Sequence, residues 1–203
     1  MDVEVASRAA WRPVDLAHAY LDGGATLIQV RAKQLDSSAF LDLADSIVDL
    51  GRSYNAAIII NDRADIALMS GAAGVHVGQH DLPPAAVRGL LGGHAIVGLS
   101  THDDDQIERA VRESISYLAV GPVFGTGTKD TGYDAVGLEL VRTAARMAGA
   151  LPVVAIGGIT LENARSVIDA GATSVAVITN LLAGTDPRRR TEAFVKRLTD
   201  NRV

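Results

Sequence analysis

The chain contains no cysteine. Disulfides, thiolate metal sites and thiol nucleophiles are therefore excluded, and stability and chemistry must come from other groups. Aromatic residues make up only 4% of the 203 positions, so any large core has to be aliphatic. No apolar run approaches the roughly 20 residues of a membrane-spanning helix. The opening Met1-Asp2-Val3-Glu4-Val5 lacks the basic-then-apolar layout of a secretion signal. Lysine is nearly missing, occurring only as Lys33, Lys129 and Lys196. A formal net charge of −5 argues against nucleic-acid binding, which wants a basic face. The one basic cluster, Arg188-Arg189-Arg190, stands beside Pro187 at a helix start and reads as a solvated turn. What remains is a cytoplasmic enzyme of small molecules, with no nucleic-acid or membrane partner expected. Its oligomeric state is open, a homo-oligomer being compatible with it.

What is present is a regular alternation of short apolar runs with amphipathic segments. Strands are predicted over 26–31, 56–60, 74–77, 96–100, 117–120, 153–156 and 174–177. Helices are predicted over 14–21, 37–50, 64–70, 83–91, 104–113, 138–148, 161–170 and 187–198, the seventh opened by Thr160 as a cap. Such alternation implies βαβ units and a parallel sheet. With seven strands, eight helices and no linker, the chain 1–203 reads as one α/β domain, a (β/α)8 TIM barrel. The first helix has no strand before it, so most or all of the first strand is expected to be missing, with at most a fragment from residues 1–7. An open doubly wound sheet is the alternative, but the glycine fingerprint of a dinucleotide site is absent.

In a barrel of this kind the chemistry lies at the C-terminal ends of the strands. Gln29, Arg31 and Lys33 are spaced two apart, so an extended segment presents all three on one face, suited to a phosphate or diphosphate. Asn61-Asp62 and the segment His76-Val77-Gly78-Gln79-His80-Asp81 end the next two strands. Asp62 and Asp81 together suit one hard cation such as Mg²⁺, or each caps the helix that follows it. His76 lies in an apolar strand and reads as a satisfied core histidine, while His18, His80, His94 and His102 read as surface or loop residues. Ser100 ends the fourth strand, where its hydroxyl either touches a ligand or caps a helix. The loop over 121–129, Gly-Pro-Val-Phe-Gly-Thr-Gly-Thr-Lys, combines glycines, hydroxyls and one ammonium. Gly157-Gly158-Ile159 and Ile178-Thr179 end the last two strands, where phosphate is the recurrent ligand of this fold. Two anion sites are expected, a diphosphate with a metal at the early strands and a monophosphate at the late ones.

The ordered set Gln29-x-Arg31-x-Lys33, Asn61-Asp62-Arg63, His76-x-Gly78-Gln79-x-Asp81, Gly98-x-Ser100, Thr126-x-Thr128-Lys129, Gly157-Gly158-Ile159 and Ile178-Thr179 resembles the thiamine phosphate synthase family. The resemblance implies a transferase that joins a pyrimidine methyl diphosphate to a thiazole phosphate and releases pyrophosphate. It implies that Gln29, Val30, Arg31, Ala32, Lys33, Asn61, Ser100 and Lys129 hold the pyrimidine diphosphate. Mg²⁺ would sit on Asp62 and Asp81. Thr126, Gly127, Thr128, Gly158, Ile178 and Thr179 would hold the thiazole phosphate, and Arg31, Ser100 and Lys129 would act on the reacting centre. Gly125 stands where family members often have proline, and Thr179 where serine is expected. A related thiazole tautomerase shares the glycine loops but should carry histidine where this chain has Pro122. A non-catalytic phosphate-binding protein is the remaining alternative, whose mark is binding without turnover.

Overall fold

A computed structural model describes residues 1–127 and 132–199. Seven strands form one parallel sheet in sequential order. They are β1 (Leu27–Val30), β2 (Ala57–Asn61), β3 (Gly74–Val77), β4 (Ile96–Thr101), β5 (Tyr117–Val120), β6 (Val153–Ile156) and β7 (Ser174–Ala176). The helices are α1 (Val3–Arg8), α2 (Pro13–Asp22), α3 (Ser37–Ser53), α4 (Ala64–Ser70), α5 (Pro84–Leu91), α6 (Asp104–Ala110), α7 (Gly137–Ala148), α8 (Ala164–Asp169) and α9 (Pro187–Thr199). A single 3₁₀ turn, Thr179–Leu182, follows β7.

Sequential parallel strands joined by right-handed crossovers place their helices on one face of the sheet. The burial pattern follows that rule. Ile28 and Val30 of β1, Ile58 and Ile60 of β2, Val75 and Val77 of β3, and Leu118 and Val120 of β5 belong to the large cluster shared with the helices. Helix α3 contributes Phe40, Ala44, Ile47 and Val48 to it, and Asp36 caps that helix by accepting from the Ala39 N–H at 2.9 Å. Each of the larger side chains, Phe40, Ile47 and Val48, adds about 1.5–3 kcal/mol when fully buried. The opposite face carries a separate small cluster of Ile59, Tyr117 and Ala119, with Ile96 and Val154 against it. The register puts Asn61, His76, Gly98 and Tyr117 in one row across four strands on this second face. Gln29 and Ser100 fall on the same face by the period of two.

Three local features depart from the sequence pattern, while a short extended fragment at residues 1–2 matches the expectation of at most a fragment there. Helix α1 was not signalled; Asp2 caps it through Oδ1, which accepts from the Val5 N–H at 3.0 Å. Residues 1–2 also form a fragment of extended chain beside β1, with the Arg31 N–H donating to the Met1 carbonyl at 3.0 Å and the Val3 N–H to the Arg31 carbonyl at 2.9 Å. Helix α8 starts at Ala164 rather than 161, because Asn163 folds back to accept from the Thr160 N–H at 2.8 Å and makes a turn where a first helical turn was expected. Finally, β7 stops at Ala176, one residue short of the expected 177.

Candidate functional site

The alternation of β1 sets the first group of site residues. Val30 and Ala32 are buried among the helices, so Val30 offers a ligand only its backbone, whereas Ala32 also lines the cavity described below. Gln29, Arg31 and Lys33 project from the other side, and each meets a partner. The Gln29 carboxamide reaches the hydroxyl of Tyr117. Arg31 donates through Nη1 to Asp2 Oδ2 at 2.5 Å, with Glu4 Oε2 at 3.9 Å. Burial raises the Asp2 pKa, but the Val5 N–H and the Arg31 guanidinium outweigh it and hold the carboxyl below its ordinary value. Arg31 Nε is buried with no hydrogen-bond partner among the described residues.

Lys33 pairs with Asp62 across β1 and β2. Asp62 adopts a φ of +62°, which turns the chain sharply after β2, and helix α4 starts without any side-chain cap. Asp62 is therefore no helix cap. Neither is Asp81: α5 is preceded by Pro83, also without a side-chain cap, and Asp81 Oδ2 accepts from the Gly78 N–H at 2.8 Å. Lys33, Asn61, Asp62 and Asp81 line one cavity of about 460 Å³, whose wall includes Phe40, Leu82 and Leu90. Arg63 and Asp65 also lie there, but Arg63 clasps Asp65 through two hydrogen bonds of 2.8 and 2.5 Å and holds its carboxyl below the usual range. That leaves Asp62 and Asp81 as the carboxylates open to a cation. Among the described residues no group of three or more carboxylate or imidazole side chains converges on one point. Two carboxylates beside an ammonium fit a hard divalent ion that completes its shell with water and substrate phosphate.

Ser100 rests on His76. The imidazole Nε2 lies 2.7 Å from Ser100 Oγ and Nδ1 lies 2.8 Å from the Tyr117 hydroxyl, while its ring stacks on Tyr117 at 5.5 Å between centroids. Gln79 donates to the Ser100 carbonyl at 2.7 Å. Burial raises the pKa of Tyr117, against a smaller opposing effect from Gln29, so the phenol keeps its proton. Sequence reasoning placed His76 in the core and left Tyr117 unassigned. The signal that could have found the pair is Gly98, the residue between them in register, where no side chain fits.

The later strands bring together a second group. Gly158 has a φ of +63°, and a Cβ there would meet the Phe124 side chain and the Gly125 carbonyl at 2.7 Å, so the loops after β5 and β6 touch backbone to backbone. Asn180, next to Thr179, accepts from the Leu161 N–H at 3.3 Å and from Arg190 Nη2 at 2.6 Å, tying the turn after β7 to the loop after β6. Arg190 is thus no solvated turn residue. Asn163 secures the Gly158 carbonyl at 3.1 Å. Ile178 and Thr179 open the 3₁₀ turn. Thr126 and Gly127 stand in the loop after β5, and Thr128 and Lys129 lie outside the described residues. His102 is more than a loop residue: its ring stacks on Tyr133 at 3.8 Å between centroids.

Known proteins are similar to this chain over most of its length. The chain is 43% identical over 189 residues to the thiamine-phosphate synthase of Chlorobium phaeovibrioides, covering 93% of this chain and 90% of that protein. It is 46% identical over 176 residues to the thiamine-phosphate synthase of Koribacter versatilis, covering 86% and 81%. The solved structure of thiamine phosphate pyrophosphorylase from Pyrococcus furiosus superposes with a TM-score of 0.85 at 32% identity, covering 92% of this chain and 89% of that one. The family model described as thiamine monophosphate synthase matches residues 5–181, and the chain belongs to that family.

Proposed function

We propose that this protein joins 4-amino-2-methyl-5-(diphosphooxymethyl)pyrimidine to a thiazole phosphate, giving thiamine phosphate and pyrophosphate. The observation that carries the reading is the cavity at the ends of β1–β3, where Lys33, Asn61, Asp62 and Asp81 converge. It has the charge and oxygen donors that a diphosphate with a divalent cation requires. The bond from the pyrimidine methylene to the diphosphate oxygen breaks, and its electron pair leaves with the diphosphate. The aminopyrimidine ring delocalises the resulting charge until the thiazole nitrogen forms the new C–N bond. No side-chain nucleophile is needed, in keeping with a chain without cysteine.

In this reading Gln29, Arg31, Lys33, Asn61 and Ser100 hold the pyrimidine diphosphate, joined by Lys129, with Val30 and Ala32 contributing backbone. Arg31, Ser100 and Lys129 bear on the departing charge. Asp62 and Asp81 would hold Mg²⁺, which supplies charge neutralisation to the leaving group when bound. Thr126, Gly127, Thr128, Gly158, Ile178 and Thr179 hold the thiazole phosphate. The protein's own contribution is to fix two reactants in line and to aim donors at the leaving oxygen. We further infer that the seven strands belong to a (β/α)8 barrel, with residues 1–2 at the place of its first strand. The work is that of a cytoplasmic biosynthetic enzyme; among the described residues no helix is long and apolar enough to cross a membrane.

The test is direct. Protein mixed with both substrates and Mg²⁺ should form thiamine phosphate and pyrophosphate in equal amounts, and a chelator should stop both. Thiazole phosphate bound without any product would instead make this a binding protein.

A further inference from the structure

A chain of polar groups ends at Ser100, and two of its members, His76 and Tyr117, are not used by the reaction as described. Its members come from four strands: Gln29 on β1, Tyr117 on β5, His76 on β3 and Ser100 on β4. Distances of 2.8 Å (Tyr117 to His76 Nδ1) and 2.7 Å (His76 Nε2 to Ser100) leave room for one hydrogen in each gap. A neutral imidazole has one donor and one acceptor, so fixing either end fixes the other. Burial raises the Tyr117 pKa, against a smaller opposing effect from the Gln29 carboxamide, so the phenol keeps its proton. The protonated phenol has its hydrogen to donate across the 2.8 Å gap to His76 Nδ1. Nε2 then carries the hydrogen and donates to Ser100 Oγ. With its lone pair engaged from below, the Ser100 hydroxyl is left to donate upward, and Ser100 is half-buried near the C-terminal end of β4.

We propose that His76 is a positioning residue, held as its Nε2–H tautomer by Tyr117, that turns Ser100 into a hydrogen-bond donor for the departing diphosphate. The proposal rests on the function given above for the identity of the anion. No proton changes owner in this step. The serine hydrogen bond shortens as negative charge gathers on the leaving oxygen, so it strengthens in the transition state and acts on kcat. The alternative hydrogen arrangement, Nδ1–H with Nε2 accepting from serine, would point the only hydrogen of Ser100 away from substrate.

Two independent measurements test this. Nitrogen NMR of the labelled imidazole needs no substrate: it should show the Nε2–H tautomer in the wild type, and an Nδ1–H tautomer overturns the proposal. Kinetics supply the second. Tyr117→Phe keeps the ring that packs on His76 but removes the donor, so kcat should fall about tenfold or more while KM for the thiazole phosphate holds within about twofold. His76→Asn and Ser100→Ala should each cost about 10²-fold in kcat, the usual cost of one lost donor to developing charge. The double variant should be no slower than Ser100→Ala alone, because both remove the same interaction. Losses that multiply in the double variant, or unchanged kcat in Tyr117→Phe, overturn the proposal. A wild-type protein that makes no thiamine phosphate refutes the function itself, and is seen before any variant is compared.

Discussion

The Lys33 ammonium lies directly on the Asp62 carboxylate, joining the segments that follow β1 and β2. Asp62 is largely shielded whereas half of the Lys33 side chain is exposed, at 17% and 52%. So exposed a pair adds at most about 1 kcal/mol to stability. On the proposed function its value lies in occupancy: the lysine would neutralise the carboxylate until a divalent ion and a diphosphate arrive, and would then turn to the diphosphate. Asp62→Ala should raise the Mg²⁺ concentration for half-maximal activity by about tenfold or more and cut kcat by about 10²-fold. Lys33→Met should shift the midpoint of thermal unfolding little and raise KM for the pyrimidine diphosphate. An unchanged Mg²⁺ requirement in Asp62→Ala would remove that residue from the metal site.

Gly158 carries a sharper steric demand. Its φ of +63° disfavours any side chain, and a Cβ would stand 2.7 Å from Phe124 and the Gly125 carbonyl. Gly158→Ala should push the loop after β5 off the loop after β6 and lower stability by about 1–3 kcal/mol. The thiazole phosphate should lose affinity while the KM for the pyrimidine diphosphate stays put. Isothermal calorimetry with each substrate separates the two. Equal weakening of both would mean that Gly158 serves the fold and not one site.

Asp2 offers a pH-dependent test. Its folded pKa is held below the ordinary 3.8, so the stabilisation is complete above that value and is lost as pH falls through the folded one. Asn at the same place still caps α1 but cannot pair with the Arg31 charge. Asp2→Asn should therefore be less stable than wild type by about 1–3 kcal/mol near neutral pH. The gap should close in acid, below about pH 3.8, where the wild-type carboxyl takes up its proton. Thermal unfolding of both proteins between pH 2 and 7 reads this out, and a gap that stays constant with pH would exclude the ion pair as its source.

Most of the strand order was legible because apolar runs and a period of two are local properties. Gln29, Arg31 and Lys33 share a face for that reason alone. The family residues at the strand ends likewise follow short patterns in order. The partners of His76 were not legible, since Ser100 is 24 and Tyr117 41 positions away in sequence. The capping alternative for Asp62 failed for the same reason, since Lys33, 29 positions distant, claims its carboxylate; that for Asp81 failed locally, because the Gly78 N–H three residues back claims it. Helix α1 escaped notice because six residues make a weak periodic signal, and its cap, Asp2, is fixed by the distant Arg31. Arg190 looked like one of three equivalent arginines until the turn after β7 came to lie beneath it.

Gly98 and Gly89 should respond in opposite directions to the same substitution. A Cβ at Gly98 would fall 2.1 Å from Tyr117 Cζ and 2.5 Å from His76 Nδ1. Both neighbours are buried rings tied to each other, so neither can step aside without breaking the bond between them. Gly98→Ala should cost about 1–3 kcal/mol or more by overpacking, and should reduce kcat as His76 loses its grip on Ser100. Gly89 lies inside α5, exposed, with nothing within 4 Å of the added carbon. Gly89→Ala should stabilise the protein by about 0.5–1 kcal/mol, because alanine gives up less backbone entropy in a helix and meets no obstacle. Urea unfolding of the two variants decides the matter. Equal stability in Gly98→Ala and wild type would mean that His76 and Tyr117 can part freely, and the tautomer argument would then lose its rigid frame.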